Sequence, residues 1–151
     1  MNYTTSIIPL TVIDVVEDDA RRLLKPAIDT SDGRFSEDTV MTAIKSGFYQ
    51  LWMVFDEDNR PAAAFVTLVE EYPLRTMLNL LFCGGEDLEG WHENVLVLLE
   101  QYARDHGCSG MELIGRAGWK KFLQKNGWSA TYLVCERNFD KEALEEEEEA
   151  A

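Results

Sequence analysis

Histidine, cysteine, basic residues and long apolar runs are all scarce in this chain. Its 151 residues include two histidines, His92 and His106, and three cysteines, Cys83, Cys108 and Cys135. The histidines lack the spacing of a helix-borne zinc pair, and the cysteines, odd in number, lack metal-ligand spacing, so no metal is expected. Each cysteine lies in or beside an apolar strand candidate, where a free thiol serves as a small hydrophobe; a reducing, intracellular setting follows as the expectation. No Ser-His-Asp set is discernible. Lys and Arg number 14 against 28 Asp and Glu, a net charge of −14. Phosphate contacts need clustered cations, so direct binding of nucleic acid or of an anionic membrane is not expected. A basic protein partner suits the charge, although solubility accounts for it more simply. No apolar run approaches the ~20 residues that cross a bilayer. The start, MNYTTSIIPLTVIDVV, has neither the basic region nor the long apolar core of a signal peptide.

Hydrophobic residues make up 46% and aromatics 11%, which is globular rather than disordered composition. The length suits one domain, expected over 1–140, followed by an acidic tail over 141–151. That tail holds six Glu and one Lys, so −5 of the charge lies there and −9 in the body. Its low complexity reads as a solvated or frayed helical end.

Apolar patterning sets out the elements. Ser6–Leu10 reads as an edge strand, because Pro9 cannot donate to a ladder. Val12–Leu24 has helical spacing and should stop before Pro26. Asp29–Gly33 is a turn cluster. Ser36 caps a second helix whose Glu37 and Asp38 suit its positive end, with Val40, Ile44 and Phe48 as the apolar face and Gly47 as the stop. Three strands follow, over 49–55, 61–69 and 75–83, divided by the DEDNR turn and by a break at Glu70–Pro73. The third is apolar enough to be central. Gly84-Gly85 then reads as a turn into a helix over 87–106, burying Leu88, Trp91, Val95, Leu98 and Tyr102. A strand over 108–114, a short helix over 117–125 stopped by Asn126-Gly127, and a last strand over 128–139 complete the order.

This succession, β-α-α-β-β-β-α-β-α-β, fits neither a doubly wound sheet nor a helix bundle. It resembles the GNAT (Gcn5-related N-acetyltransferase) family, most sharply from Met111 to Trp128. The resemblance implies an α+β, acyl-CoA N-acyltransferase fold: a mixed, mostly antiparallel sheet flanked by helices. It also implies a cofactor loop at the start of the long helix, where backbone N–H groups hold the pyrophosphate of acetyl-CoA. Here that segment is Cys83-Gly84-Gly85-Glu86-Asp87-Leu88-Glu89-Gly90, with glycines but no cation and three carboxylates. The family's Asn-x-x-Ala-x-x-x-Tyr-x-x-x-Gly-Phe run aligns at Gly127-Trp128. Its Asn then falls on Arg116, its Ala on Trp119 and its Tyr, the usual proton donor to the thiolate, on Leu123. If the chain is active, Gly84, Gly85 and Arg116 are the cofactor-binding candidates. The catalytic residue is not identified by the sequence; Glu70, Glu71 and Glu112 are the carboxylates available, and His92 reads as a boundary residue.

Gly107-Cys108, Glu112 and the run Gly115-Arg116-Ala117-Gly118-Trp119 to Gly127-Trp128 further resemble small GNAT-like proteins of tailed bacteriophages. A distant relative of that type in T7-like phages assists assembly of the internal virion core. The first functional expectation is therefore a catalytically degenerate GNAT-like phage protein acting in virion assembly or protein interaction. It would need no cofactor and would work in the cytoplasm of an infected bacterial host or in association with the virion. The alternative is an acetyl-CoA-dependent N-acetyltransferase acting on a basic amine or lysine. The third is an acidic inhibitor of a host protein, which rests on charge alone.

Overall fold

A computed structural model describes residues 2–31, 33–115, 119–137 and 139. Residues 2–115 belong to one compact unit, and the described residues from 119 onward belong to a second, which is treated separately.

The first unit is a five-stranded sheet in the order β1-β2-β3-β4-β5, formed by Thr4–Ile7, Gln50–Phe55, Pro61–Glu71, Thr76–Gly85 and Gly110–Leu113. The first four strands run antiparallel to their neighbours, and β5 joins β4 in parallel. Helices α1 (Ile13–Asp29) and α2 (Glu37–Lys45) lie on one face, and α3 (Leu88–Asp105) on the other. Alternation along the strands divides the core. Leu51, Met53, Ala64, Val66 and Phe82 meet α1 and α2. Trp52, Val54, Ala63, Phe65, Leu78 and Leu80 meet Trp91, Val95 and Leu99 of α3. This is the expected α+β arrangement, a mixed and mostly antiparallel sheet flanked by helices.

Local chemistry explains most boundaries. Ser36 Oγ accepts from the Thr39 N–H at 3.1 Å and Thr39 Oγ1 accepts from the Ser36 N–H at 2.9 Å, closing a capping box on α2. Gly47, at φ 83°, ends the same helix. Arg21 ties α1 to α2 by reaching both Glu17 and Asp38 at 2.9 Å, and Lys45 reaches Glu17 at 2.5 Å. Trp52 Nε1 donates to Thr67 Oγ1 at 3.0 Å, and Thr67 Oγ1 donates to Gln50 Oε1 at 3.1 Å, which satisfies the polar groups buried among the aromatics.

Several expectations need correction. Strand β1 ends at Ile7, and Pro9 precedes a 3-10 turn over Leu10–Val12, although the edge position holds. Helix α1 runs through Pro26 to Asp29: Pro26 leaves the Arg22 carbonyl without its helical donor, but Ala27 and Ile28 gain burial in the core. Phe48 lies beyond α2 and is exposed, while Met41 takes the inward position. In the run Leu96-Val97-Leu98-Leu99 the inward residues are Leu96 and Leu99, and Leu98 is exposed. Glu70 and Glu71 do not break β3 but end it, paired with Met77 and Thr76. Gly84 and Gly85 are not a turn; they are the last two residues of β4, opposite Ala64 and Ala63.

In the second unit, α4 is five residues, Lys120–Gln124. Gly127, at φ 83°, follows it, and the Trp128 N–H closes back on the Leu123 carbonyl at 3.1 Å. The strand expected over 128–139 is not formed among its described residues; Tyr132 and Leu133 are 92% and 91% exposed and pair with nothing in a sheet. The acidic tail over 141–151 lies outside the described residues, as does Arg116.

Candidate functional site

Strand β5 accompanies β4 only from Met77↔Gly110 to Leu80↔Leu113, whereas β4 continues to Gly85. A bulge sits at the same level: Val66 pairs with Phe82 but Thr67 with Leu80, leaving Leu81 as the extra residue. Bulges turn a strand and free its backbone groups from regular pairing. From Leu81 onward, β4 therefore has one side open to β5 among the described residues.

On the α1/α2 face, beside that opening, three strands place polar side chains in a row. Asn79 of β4 pairs in register with Leu68 of β3 and Glu112 of β5, and Glu70 is two residues further along β3. Asn79 Nδ2 donates to Glu70 Oε2 at 3.1 Å, and Tyr72 Oη donates to Glu112 Oε1 at 2.5 Å. The hydrogen bond to Glu112 pushes the Tyr72 phenol up to about 12, helped by burial and by the charges of Glu112 and Glu70. Burial, then the charge of Glu70, raises the Tyr49 phenol. Glu70 and Glu112, both half-buried, thus share one polar group; Glu71 alternates to the opposite face and is exposed. Two carboxylates with an amide and two phenols can accept the N–H groups of an ammonium or guanidinium. Asn79 and Tyr72 were missed in the sequence. Asn79 was visible there only as a polar residue interrupting Leu78 and Leu80.

The cofactor candidates are differently placed. A Cβ on Gly84 would lie 2.0 Å from the carbonyl oxygen of Leu23 in α1. On Gly85, at φ 143°, it would lie 2.5 Å from Ala62 O and from Ala63. Both glycines are needed for close approach, but what approaches is the chain's own backbone. The start of α3 is also engaged. The Glu86 N–H donates to Ala62 O at 3.0 Å, and the Gly90 N–H donates to Asp87 O at 2.9 Å. Asp87, left-handed at φ 55°, accepts the Tyr3 hydroxyl at 2.5 Å, which pushes the phenol up to about 12. A Cβ on Gly90 would lie 2.4 Å from Asp87 Oδ2, so this carboxylate sits over the first turn of α3, flanked by Glu86 and Glu89. A pyrophosphate of coenzyme A fits this end poorly. The Glu86 amide is bonded to β3, and an anion already stands at the positive helix end. Substituting Gly85 by Glu therefore reports on packing, not on cofactor affinity.

The remaining candidates are structural or undescribed. His92 Nδ1 lies 3.0 Å from the Leu88 carbonyl on its own helix. Leu123, at the position of the family's tyrosine, is buried and carries no proton to give. Burial pushes the Cys83 thiol up to about 12, so it is not a thiolate near neutral pH. No helix among the described residues is long and apolar enough to cross a membrane.

A parallel pair that parts after four residues, inside an otherwise antiparallel sheet with helices on both faces, defines the GNAT acyltransferase fold. The likeness extends over nearly the full length of solved structures. A tetramutant of the BH1408 protein of Bacillus halodurans matches with a TM-score of 0.70 at 13% identity, covering 90% of this chain and 99% of the other. A GCN5-related N-acetyltransferase of Ralstonia eutropha matches with a TM-score of 0.66 at 15% identity, covering 91% and 99%. Glucosamine-6-phosphate N-acetyltransferase of Arabidopsis thaliana matches with a TM-score of 0.64 at 14% identity, covering 92% and 99%. No family model matches the sequence, and no curated protein matches it. The chain has the GNAT fold; identities this low carry the fold and no activity.

Proposed function

We propose that this chain uses the GNAT fold for its surface rather than for acyl transfer, as a protein-interaction factor in the assembly of a tailed-bacteriophage virion. The observation that carries the reading is the packing of Gly84 and Gly85 against Leu23 and Ala62–Ala63, at the end of β4 where the fold's enzymes hold the cofactor. The carboxylate of Asp87 over α3 and the leucine at position 123 agree with it. The phage assignment is supported by the run from Gly107 to Trp128, and places the protein in an infected bacterial cell or with the virion. Its acidic body favours a partner with a basic surface over nucleic acid or membrane.

The second reading is an acetyl-CoA-dependent N-acetyltransferase for a basic amine or a lysine. It is favoured by the Glu70–Asn79–Glu112–Tyr72 group, which stands beside the opening of β4 and suits a cationic acceptor. Under it Gly84, Gly85 and Arg116 would serve the cofactor, and Glu70 or Glu112 would take the proton from the amine. Calorimetric titration with acetyl-CoA separates the two. Absence of heat at millimolar cofactor is the expected outcome; micromolar binding would overturn the first reading in favour of the second.

A further inference from the structure

The free side of β1 is an unusually receptive strand edge. The Ile8 N–H donates to Leu51 O at 2.8 Å, and the register pairs Ser6 with Met53 and Thr4 with Phe55. In an antiparallel ladder the bonding direction alternates, so Thr4, Ser6 and Ile8 face β2 while the N–H and C=O groups of Thr5 and Ile7 face outward. No strand among the described residues pairs with them. Exposed edges are normally blunted by charge, proline or a bulge. The strand Thr4-Thr5-Ser6-Ile7 has no charge, and Pro9 lies beyond it.

Apolar surface continues from this edge. Leu10 is 56% exposed, Phe48 63% and Val15 82%, with Ile7 and Val12 also exposed. A cleft of about 300 Å³ opens there, lined by Ile7, Pro9, Leu10, Gly47, Tyr49 and Tyr102 among others. Carboxylates stand at both ends of the strand. At its start the Asn2 N–H donates to Glu57 Oε1 at 2.7 Å, Tyr3 Oη donates to Asp87 Oδ2 at 2.5 Å, and Asp56 follows Phe55, the partner of Thr4. Beyond its far end, α1 opens with Asp14, whose side chain is 91% exposed. Lys45 is engaged by Glu17 and Asp14. A second copy of the chain would bring acids against acids, which opposes self-pairing.

We propose that the outer edge of β1 receives one extended segment of a protein partner, apolar at alternate positions and flanked by Lys or Arg. The segment exchanges main-chain hydrogen bonds with Thr5 and Ile7, places an apolar side chain in the cleft at Leu10, and sets its cations against the acids at each end. Its biological use rests on the interaction reading above, but its test does not involve acetyl-CoA, so either can fail alone.

The probe is the peptide acetyl-Lys-Arg-Val-Thr-Val-Thr-Lys-Arg-amide, titrated into the full chain, with amide hydrogen exchange followed by NMR. Slowed exchange at Thr5 and Ile7 is expected, with affinity falling about tenfold or more when the four cations are replaced by Glu. Thr5→Pro removes one outward donor and leaves the bonds to β2 in place, and it should abolish the protection while the thermal transition persists. Phe48→Ser, at an exposed position, should weaken binding by removing apolar surface without adding charge or touching the strand. Protection of amides elsewhere, equal binding of the acidic peptide, unchanged binding by both variants, or sedimentation showing that this edge pairs two copies would each overturn the proposal.

Discussion

Along β4, residues 76–80 and residues 81–85 meet very different surroundings. The first half is paired on both sides, and on the α1/α2 face its Asn79 stands among Glu70, Glu112 and Tyr72. The second half loses β5, and its glycines are pressed against α1 and β3. One half keeps polar side chains satisfied by one another at a half-buried surface. The other packs its glycines against the backbone of α1 and β3. Here the first half carries the polar group, and the second is closed by the chain's own backbone.

The contrast can be broken at the glycine end most severely. Gly84→Ala would set a methyl 2.0 Å from a helix carbonyl, so a loss of about 3 kcal/mol is expected in urea denaturation. A variant as stable as the parent would show that this end is open after all. On the α3 face of the same sheet, Thr67→Val removes the acceptor of the buried Trp52 indole N–H. It should cost about 1–3 kcal/mol, read by the same denaturation curves.

The polar end is sharpened by titration. Tyr72 should ionise near 12 in an ultraviolet phenolate titration, and Glu112→Gln should bring it back toward the ordinary 10.0. Because the folded value is raised, the stability it contributes is full below the unfolded value and fades as pH climbs through the folded one. The smallest effect lies away from both halves. Hydrogen bonds from Lys45 first, and then Arg21, hold Glu17 below its usual 4.5. Its contribution is present above that value and disappears as pH falls through the folded one. Glu17→Gln should therefore flatten the acid limb of a stability–pH profile by lowering stability slightly at neutral pH, with little change at low pH where the contribution is already gone.

The sequence made the framework legible wherever one residue had one physical role. Ser36 ahead of two acids announced a cap, Gly47 a stop, and Trp91 with Val95 a buried stripe. It was ambiguous where two residues could exchange roles: Leu98 and Leu99 are chemically identical, and only packing chose between them. Gly84-Gly85 after an apolar run looks the same whether it turns the chain or lets a helix lie on it, because the deciding atoms belong to Leu23, sixty residues away in sequence. Glu70 and Glu71 looked like a break in β3 until Met77 and Thr76 supplied their partners. The polar group was illegible for the same reason, since Glu70, Tyr72, Asn79 and Glu112 meet only through the register of three strands.

The single parallel pairing also sets a schedule. Strands β2, β3 and β4 are consecutive and joined by turns, so they can zip together once residue 85 has left the ribosome. Strand β5 must wait for the whole of α3 before it reaches β4, and such distant contacts form slowly. During synthesis, the newborn meander therefore exposes the flank of β4 that β5 later covers, and Asn79 waits there for Glu112 to arrive.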